Sequence, residues 1–186
     1  MALTLLMARH GQTDFNVDDR WQGRIDPPLN STGMAQADAL AAALPAGIQV
    51  LMASPMLRVR QTAEPVARRF GLTPQLVDDF RERDFGVFEG LSGEEALQRY
   101  PELARRNVAY RWDEAPPEAE SVQAVVDRVG RGLERLRAEH DGKTVLLVSH
   151  GFVVRCLRYL LEGVSRDDFF AAERLGNGRF LSCRLD

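Results

Sequence analysis

At 186 residues, with 45% hydrophobic and 27% charged side chains, the chain has the composition of a globular protein and the length of a single domain, residues 1–186. A net charge of −3 with dispersed basic residues excludes the basic stripe of a nucleic-acid binder. No apolar run approaches the roughly 20 residues that span a bilayer, and two cysteines, Cys156 and Cys183, lack the spacing of a disulfide framework or zinc site.

The segment Met1 to Met7 has no cationic start of the kind a signal peptide carries, which points to the cytoplasm. It overlaps the first expected strand, the continuous apolar run Leu3 to Ala8. Thr32 to Leu44 follows as an Ala-rich helix, then Val50 to Ala53 as a short strand. Pro55 to Phe70 reads as a helix with proline in its first turn, and Ser92 to Glu95 has capping-box spacing before another. Ser121 to His140 places Val122, Val125, Val126, Val129, Leu133 and Leu136 on one stripe, as an amphipathic helix requires. Thr144 to Ser149 is a second continuous apolar strand, Gly151 to Leu161 a buried helix, and Arg179 to Arg184 a candidate edge strand that leaves a homodimer open. Strands apolar on both faces and alternating with helices predict an α/β fold, a three-layer α/β/α sandwich with a mostly parallel central sheet.

In such a sheet ligands sit beyond the carboxyl ends of the strands. Both long apolar strands end there in His-Gly: His10-Gly11 and His150-Gly151, using two of the three histidines. Parallel neighbours would bring the imidazoles together. Arg9 leaves the same strand end, and Arg58 or Arg60 lies in the first turns of a helix, where anions bind. Lys143 is the sole lysine among 24 basic residues, so arginine identity says little and position must decide. Phe80 to Gly86 sets carboxylates among arginines, which suits either an ion-pair network or a general acid for ester cleavage. His140, at the end of the long helix, reads as structural. Trp21 and Trp112 are candidates to stack on a substrate, Trp112 the better one.

The run ARHGQTDFN over Ala8 to Asn16 resembles the nucleophile motif of the histidine phosphatase superfamily, in its phosphoglycerate mutase-like branch. WQGRIDPPLNSTG over Trp21 to Gly33, SPMLRVRQTA over Ser54 to Ala63 and VSHG over Val148 to Gly151 resemble its later motifs in order. The resemblance implies that His10 takes the phosphoryl group, that Arg9, Arg58 and His150 surround it, and that Glu82 is the general acid; a protonated His150 would complete a cationic clamp on the transition state. It also implies that Asn16, Gln22 and Gly23 line the phosphate site and that Gly151 and Phe152 form its far wall. Ala119 departs from it, standing before Glu120-Ser121 where a glycine is usual, which puts that loop's geometry in question.

The expected activity is hydrolysis of a small phosphate monoester through phosphohistidine, with no metal or cofactor and neither nucleic acid nor membrane as partner. A cofactor-dependent phosphoglycerate mutase is the first alternative, disfavoured by the short segment Arg105 to Pro117. A non-catalytic phosphate-binding module is the second, disfavoured because every central residue is present.

Overall fold

A computed structural model describes residues 2–171 and 173–185. Five strands, β1 (Leu3–Arg9), β2 (Val50–Ala53), β3 (Gln75–Leu76), β4 (Thr144–Ser149) and β5 (Phe180–Leu185), form one sheet in the order β3-β2-β4-β1-β5. All pairings are parallel except that of β5, which runs antiparallel to β1 at one edge.

Alternate residues of the inner strands face two separate cores. Leu5, Met7, Val145 and Leu147 pack with helices α6 (Val122–Glu139) and α7 (Gly151–Glu162). Leu6, Ala8, Leu146 and Val148 pack on the other face with α2 (Ser31–Ala43) and α3 (Leu57–Phe70). These are the three expected layers, and they explain why the strands are apolar throughout. At roughly 25 cal/mol per Å² of apolar surface, the two cores supply the main force holding the site's scaffold.

Helix α3 begins at Leu57, two residues later than the proline suggests, because Met56 is extended (φ −62°, ψ 142°). Its start is fixed from a distance: the Asp26 carboxylate accepts the Leu57 and Arg58 N–H groups at 2.5 and 3.5 Å. The expected capping box is present at α4 (Gly93–Arg99), with Ser92 and Glu95 bonded reciprocally. A second one, between Thr13 and Asn16, starts the short helix α1 (Asp14–Val17).

Helices α4 and α5 (Pro101–Arg105) and the 3₁₀ turns Gly86–Phe88 and Val108–Tyr110 carry a small third core of Phe88, Ala96, Val108 and Ala109, with Trp21 packed against it. The residue in the left-handed region near Ala119 is Glu118 (φ 65°), so alanine at 119 imposes no backbone strain. Both cysteines are free, and burial pushes their thiols up. His140 caps the end of α6 and is buried, a placement that fits a structural residue. Among the described residues no helix is long and apolar enough to cross a membrane.

Candidate active site

Strands β1 and β4 are parallel neighbours with Arg9 level with Ser149, so His10 and His150 leave the sheet at the same height. The helices after them go to opposite faces, α2 to one and α7 to the other, which opens a crevice at the carboxyl ends. Within it the two imidazole rings meet edge-on with centroids 5.3 Å apart.

His10 is buried, and its Nδ1 lies 2.7 Å from the Gly11 carbonyl oxygen. A carbonyl only accepts, so in the neutral ring the proton is on Nδ1 and the lone pair is on Nε2. Burial, Arg58 and Arg9 together hold its pKa well below 6.5. The loop that carries it is braced on both sides. The Gly11 N–H donates to Thr62 Oγ1 at 3.0 Å, and Asn177 Nδ2 donates to the His10 carbonyl at 3.0 Å. A Cβ on Gly11 would stand 2.4 Å from the Gly33 carbonyl oxygen, so this glycine allows the backbone to approach α2 rather than a ligand.

His150 is fully buried, with Nε2 bonded to Ser54 Oγ at 2.8 Å and Nδ1 unpartnered. Burial, then Arg58, holds the His150 pKa well below 6.5 in the free protein, so the protonated His150 expected of the clamp would need the charge of a bound phosphoryl group. Arg58 is the member of the Arg58/Arg60 pair that turns inward. It is 0% exposed, whereas Arg60 faces solvent. Its Nη1 pairs with Asp26 Oδ1 at 2.8 Å and its Nη2 donates to the Gly23 carbonyl at 3.3 Å. Arg9 donates to the Leu175 carbonyl at 2.8 Å, and its Nε is buried without a partner. Burial and the neighbouring Arg174 lower its pKa to about 10.

Glu82 accepts the Arg83 N–H at 3.0 Å, and burial raises its carboxyl above the usual range in spite of Arg58 and Arg9. Of the two carboxylates between Phe80 and Gly86, Asp84 pairs with Arg24 at 2.6 Å, whereas Glu82 lines the same cleft as His10, where a proton donor would stand. Arg83 behind it is 0% exposed, held by the Glu120 carbonyl at 2.9 Å and lying over the Phe85 and Phe152 rings.

A cleft of about 730 Å³ opens onto Arg9, His10, Glu82, Asn16, Gln22 and Phe152. Gly151 lines it as well, whereas Arg58 and His150, both 0% exposed, and Gly23 are not among the residues that line it. Gly23 has room for no side chain: a Cβ would meet Glu89 Oε1 at 2.1 Å. Trp21 lines the cleft, stacked on Phe88 with centroids 5.2 Å apart. Trp112 does not. Its ring packs on Tyr159 and Phe169 and its Nε1 donates to Gln123, which corrects the preference for it as a stacking residue. Sequence reasoning missed Asp26, Ser54, Thr62 and Asn177. Ser54 and Thr62 stand in the motif around Arg58, but Asn177 carries no local signal. Among the described residues no group of three or more His, Cys, Asp or Glu side chains is placed to hold a metal ion.

Two histidines at the ends of parallel strands, Arg9 beside them, the buried Arg58 of α3 and a carboxyl raised by burial are the equipment of a phosphoryl-transfer site. The chain belongs to the histidine phosphatase superfamily (branch 1), whose family model matches residues 5–183. Among curated relatives it is 40% identical over 159 residues to a bifunctional protein of Mycobacterium tuberculosis, covering 82% of this chain but 42% of that one, so it spans about two fifths of that relative's length. It is 34% identical to phosphoserine phosphatase 1 of Hydrogenobacter thermophilus, covering 90% and 80% of the two chains. It is also 34% identical to a probable phosphoglycerate mutase of Shigella boydii, covering 98% and 83%. A solved mycobacterial glucosyl-3-phosphoglycerate phosphatase with bound vanadate superimposes with a TM-score of 0.88 at 29% identity, covering 96% and 91%.

Proposed function

We infer that the chain, read as one domain acting in the cytoplasm, hydrolyses small phosphate monoesters through a phosphohistidine on His10 Nε2. The observation that carries this is the His10 Nδ1 to Gly11 carbonyl bond, which presents a neutral lone pair on the cleft side of the ring. Nε2 attacks phosphorus as the bond to the leaving oxygen breaks. The Glu82 carboxyl gives that oxygen its proton and becomes a carboxylate. Arg9 and Arg58 stabilise the charge spread over the equatorial oxygens, each such donor contributing on the order of 3 kcal/mol. His150, neutral when the site is free, joins them as a hydrogen-bond donor or takes a proton once a dianionic phosphoryl group raises its pKa. Asn16 and Gln22 border the phosphate, and Gly151 and Phe152 wall its far side. Water then attacks the phosphohistidine, giving its proton to the Glu82 carboxylate and releasing inorganic phosphate. The expected chemistry needs neither metal nor cofactor, and nucleic acid and membrane are not its partners.

The test is phosphate release from a panel of monoesters in EDTA, comparing the native chain with His10→Ala. Release that survives chelation and disappears with His10→Ala is the expected result. Release that requires a metal, or persists without His10, would overturn the mechanism. A phosphoryl group returned to a sugar acid in the presence of bisphosphoglycerate would identify a mutase instead.

A further inference from the structure

Helix α7 leads away from His150 along the cleft, presenting Gly151, Phe152 and Arg155 to it in turn. Gly151 is packed against Arg9, with a notional Cβ 3.3 Å from Arg9 Nε, so the phosphoryl site adjoins the first turn of the helix. Arg155 stands one turn further on, about 6 Å along the axis. Its position is fixed: Nη1 donates to the Phe169 carbonyl at 2.6 Å, and the guanidinium lies over the Phe169 and Phe170 rings at 5.9 and 5.6 Å. Arg174 reaches the same cleft from the segment before β5.

No carboxylate pairs with either arginine among the described residues. Arg20, which also lines the cleft, differs: Glu95 holds it through both nitrogens and Asp18 lies within 3.9 Å. Among the described residues the acidic side chains lining the cleft are Glu82 and Asp19, on the segment after α1, and neither forms an ion pair with Arg155 or Arg174. Burial and the charge of Arg174 both lower the pKa of Arg155, so the two cations oppose each other in the free protein. Glu162 and Glu173 line an adjoining crevice with both arginines but form no ion pair with either, so Arg155, fixed over its aromatic rings, and the exposed Arg174 can attract an anion, and guanidinium groups match the planar oxygens of carboxylate and phosphate.

We propose that Arg155 and Arg174 form a second anion site, which takes a carboxylate or a further phosphate on the leaving group. The preferred substrates are then short phosphate esters whose leaving group is itself negatively charged, the second charge lying about one helical turn from the phosphoryl group. The assignment of the first site rests on the phosphohydrolase reading above; the charge requirement of the second does not.

The experiment compares kcat/KM for 3-phosphoglycerate (a carboxylate tail), fructose 1,6-bisphosphate (a second phosphate) and glycerol 3-phosphate (a neutral tail), in the native chain, Arg174→Gln and Arg174→Lys. The native chain should prefer one of the two charged esters over the neutral one by about tenfold or more. Arg174→Gln should remove most of that ratio, and Arg174→Lys, which keeps the charge, should restore part of it. The ester that shows the larger ratio identifies carboxylate or phosphate as the ligand. A ratio near one in the native chain, or a ratio unchanged by Arg174→Gln, would overturn the proposal. If no ester is hydrolysed, the phosphohydrolase reading fails on its own. Titration calorimetry then still tests the second site, by whether 3-phosphoglycerate or the bisphosphate binds more tightly than glycerol 3-phosphate and whether Arg174→Gln abolishes the difference.

Discussion

Asp26 does two things for Arg58 at once: its carboxylate pairs with the Arg58 guanidinium at 2.8 Å and caps the helix from which Arg58 projects, taking the Leu57 N–H at 2.5 Å. The side chain and its backbone are thus aimed by one residue, 32 positions away in the chain. Asp26→Ala removes both functions. It should lower kcat/KM by about tenfold or more by releasing Arg58, and lower Tm by about 2–4 °C for a lost cap of about 1 kcal/mol. Asp26→Asn keeps an acceptor for the cap while losing the charge, so it should retain most of the Tm and still lose rate. Equal rates in all three proteins would show that Arg58 needs no such positioning.

Burial raises the Glu82 carboxyl above its ordinary 4.5, while burial and two arginines hold His10 well below 6.5. The proposed reaction requires His10 neutral and Glu82 protonated, so activity should persist below pH 6.5 and decline as pH rises through the raised Glu82 pKa. Glu82→Gln should cost about 10²-fold or more with alkyl phosphates, and less with p-nitrophenyl phosphate, whose leaving group needs no proton. Equal losses on both esters would remove Glu82 from the role of acid.

The same shifts set the pH dependence of stability. His10 and His150 are neutral when folded, but in the unfolded chain they take up protons below about pH 6.5, so stability falls with pH from there downward. Glu82 acts oppositely, because its folded form keeps a proton to higher pH. With two histidines against one carboxyl, Tm should fall between pH 6.5 and 5, each titrating histidine contributing up to about 1.4 kcal/mol per pH unit. Calorimetry on the native chain and on His10→Gln/His150→Gln checks this. The double variant should show a flatter profile, and an equally steep one would contradict the assignment.

Ser54 is fully buried and bonds His150 Nε2 at 2.8 Å. Ser54→Ala should lower kcat by about tenfold through a mobile, unsatisfied imidazole. Ser54→Thr, which keeps a hydroxyl, should retain more of the rate, and comparable loss in both would point to packing alone.

Gly33 permits the close approach that seats the His10 loop on α2. An added Cβ would stand 2.0 Å from the Gln12 carbonyl oxygen, and backbone there cannot yield. Gly33→Ala should destabilise by about 3 kcal/mol, a Tm loss of about 6–12 °C. A Tm within about 2 °C of native would mean that the loop relaxes freely.

Much of this protein was legible in its sequence, because the signals involved are local. Strands β1, β2 and β4 are unbroken apolar runs, and two-sided burial in a parallel sheet is what such runs require. The periodicity of α6 and the capping box of α4 act within one or two turns. Two strands ending in His-Gly pointed to the candidate site, and the motif around Arg58 to its helix. What the tertiary structure alone decided depends on pairs far apart in the chain. Asn177 braces His10 across 167 positions, Ser54 holds His150 across 96, and Asp26 rather than Pro55 starts α3. The inward turn of Arg58, the lowered pKa of His150 and the placement of Trp21 rather than Trp112 on the cleft likewise follow from what surrounds each side chain. Burial and partner distance set a charge, a pKa or an orientation, and neither quantity exists until remote segments of the chain have been brought together.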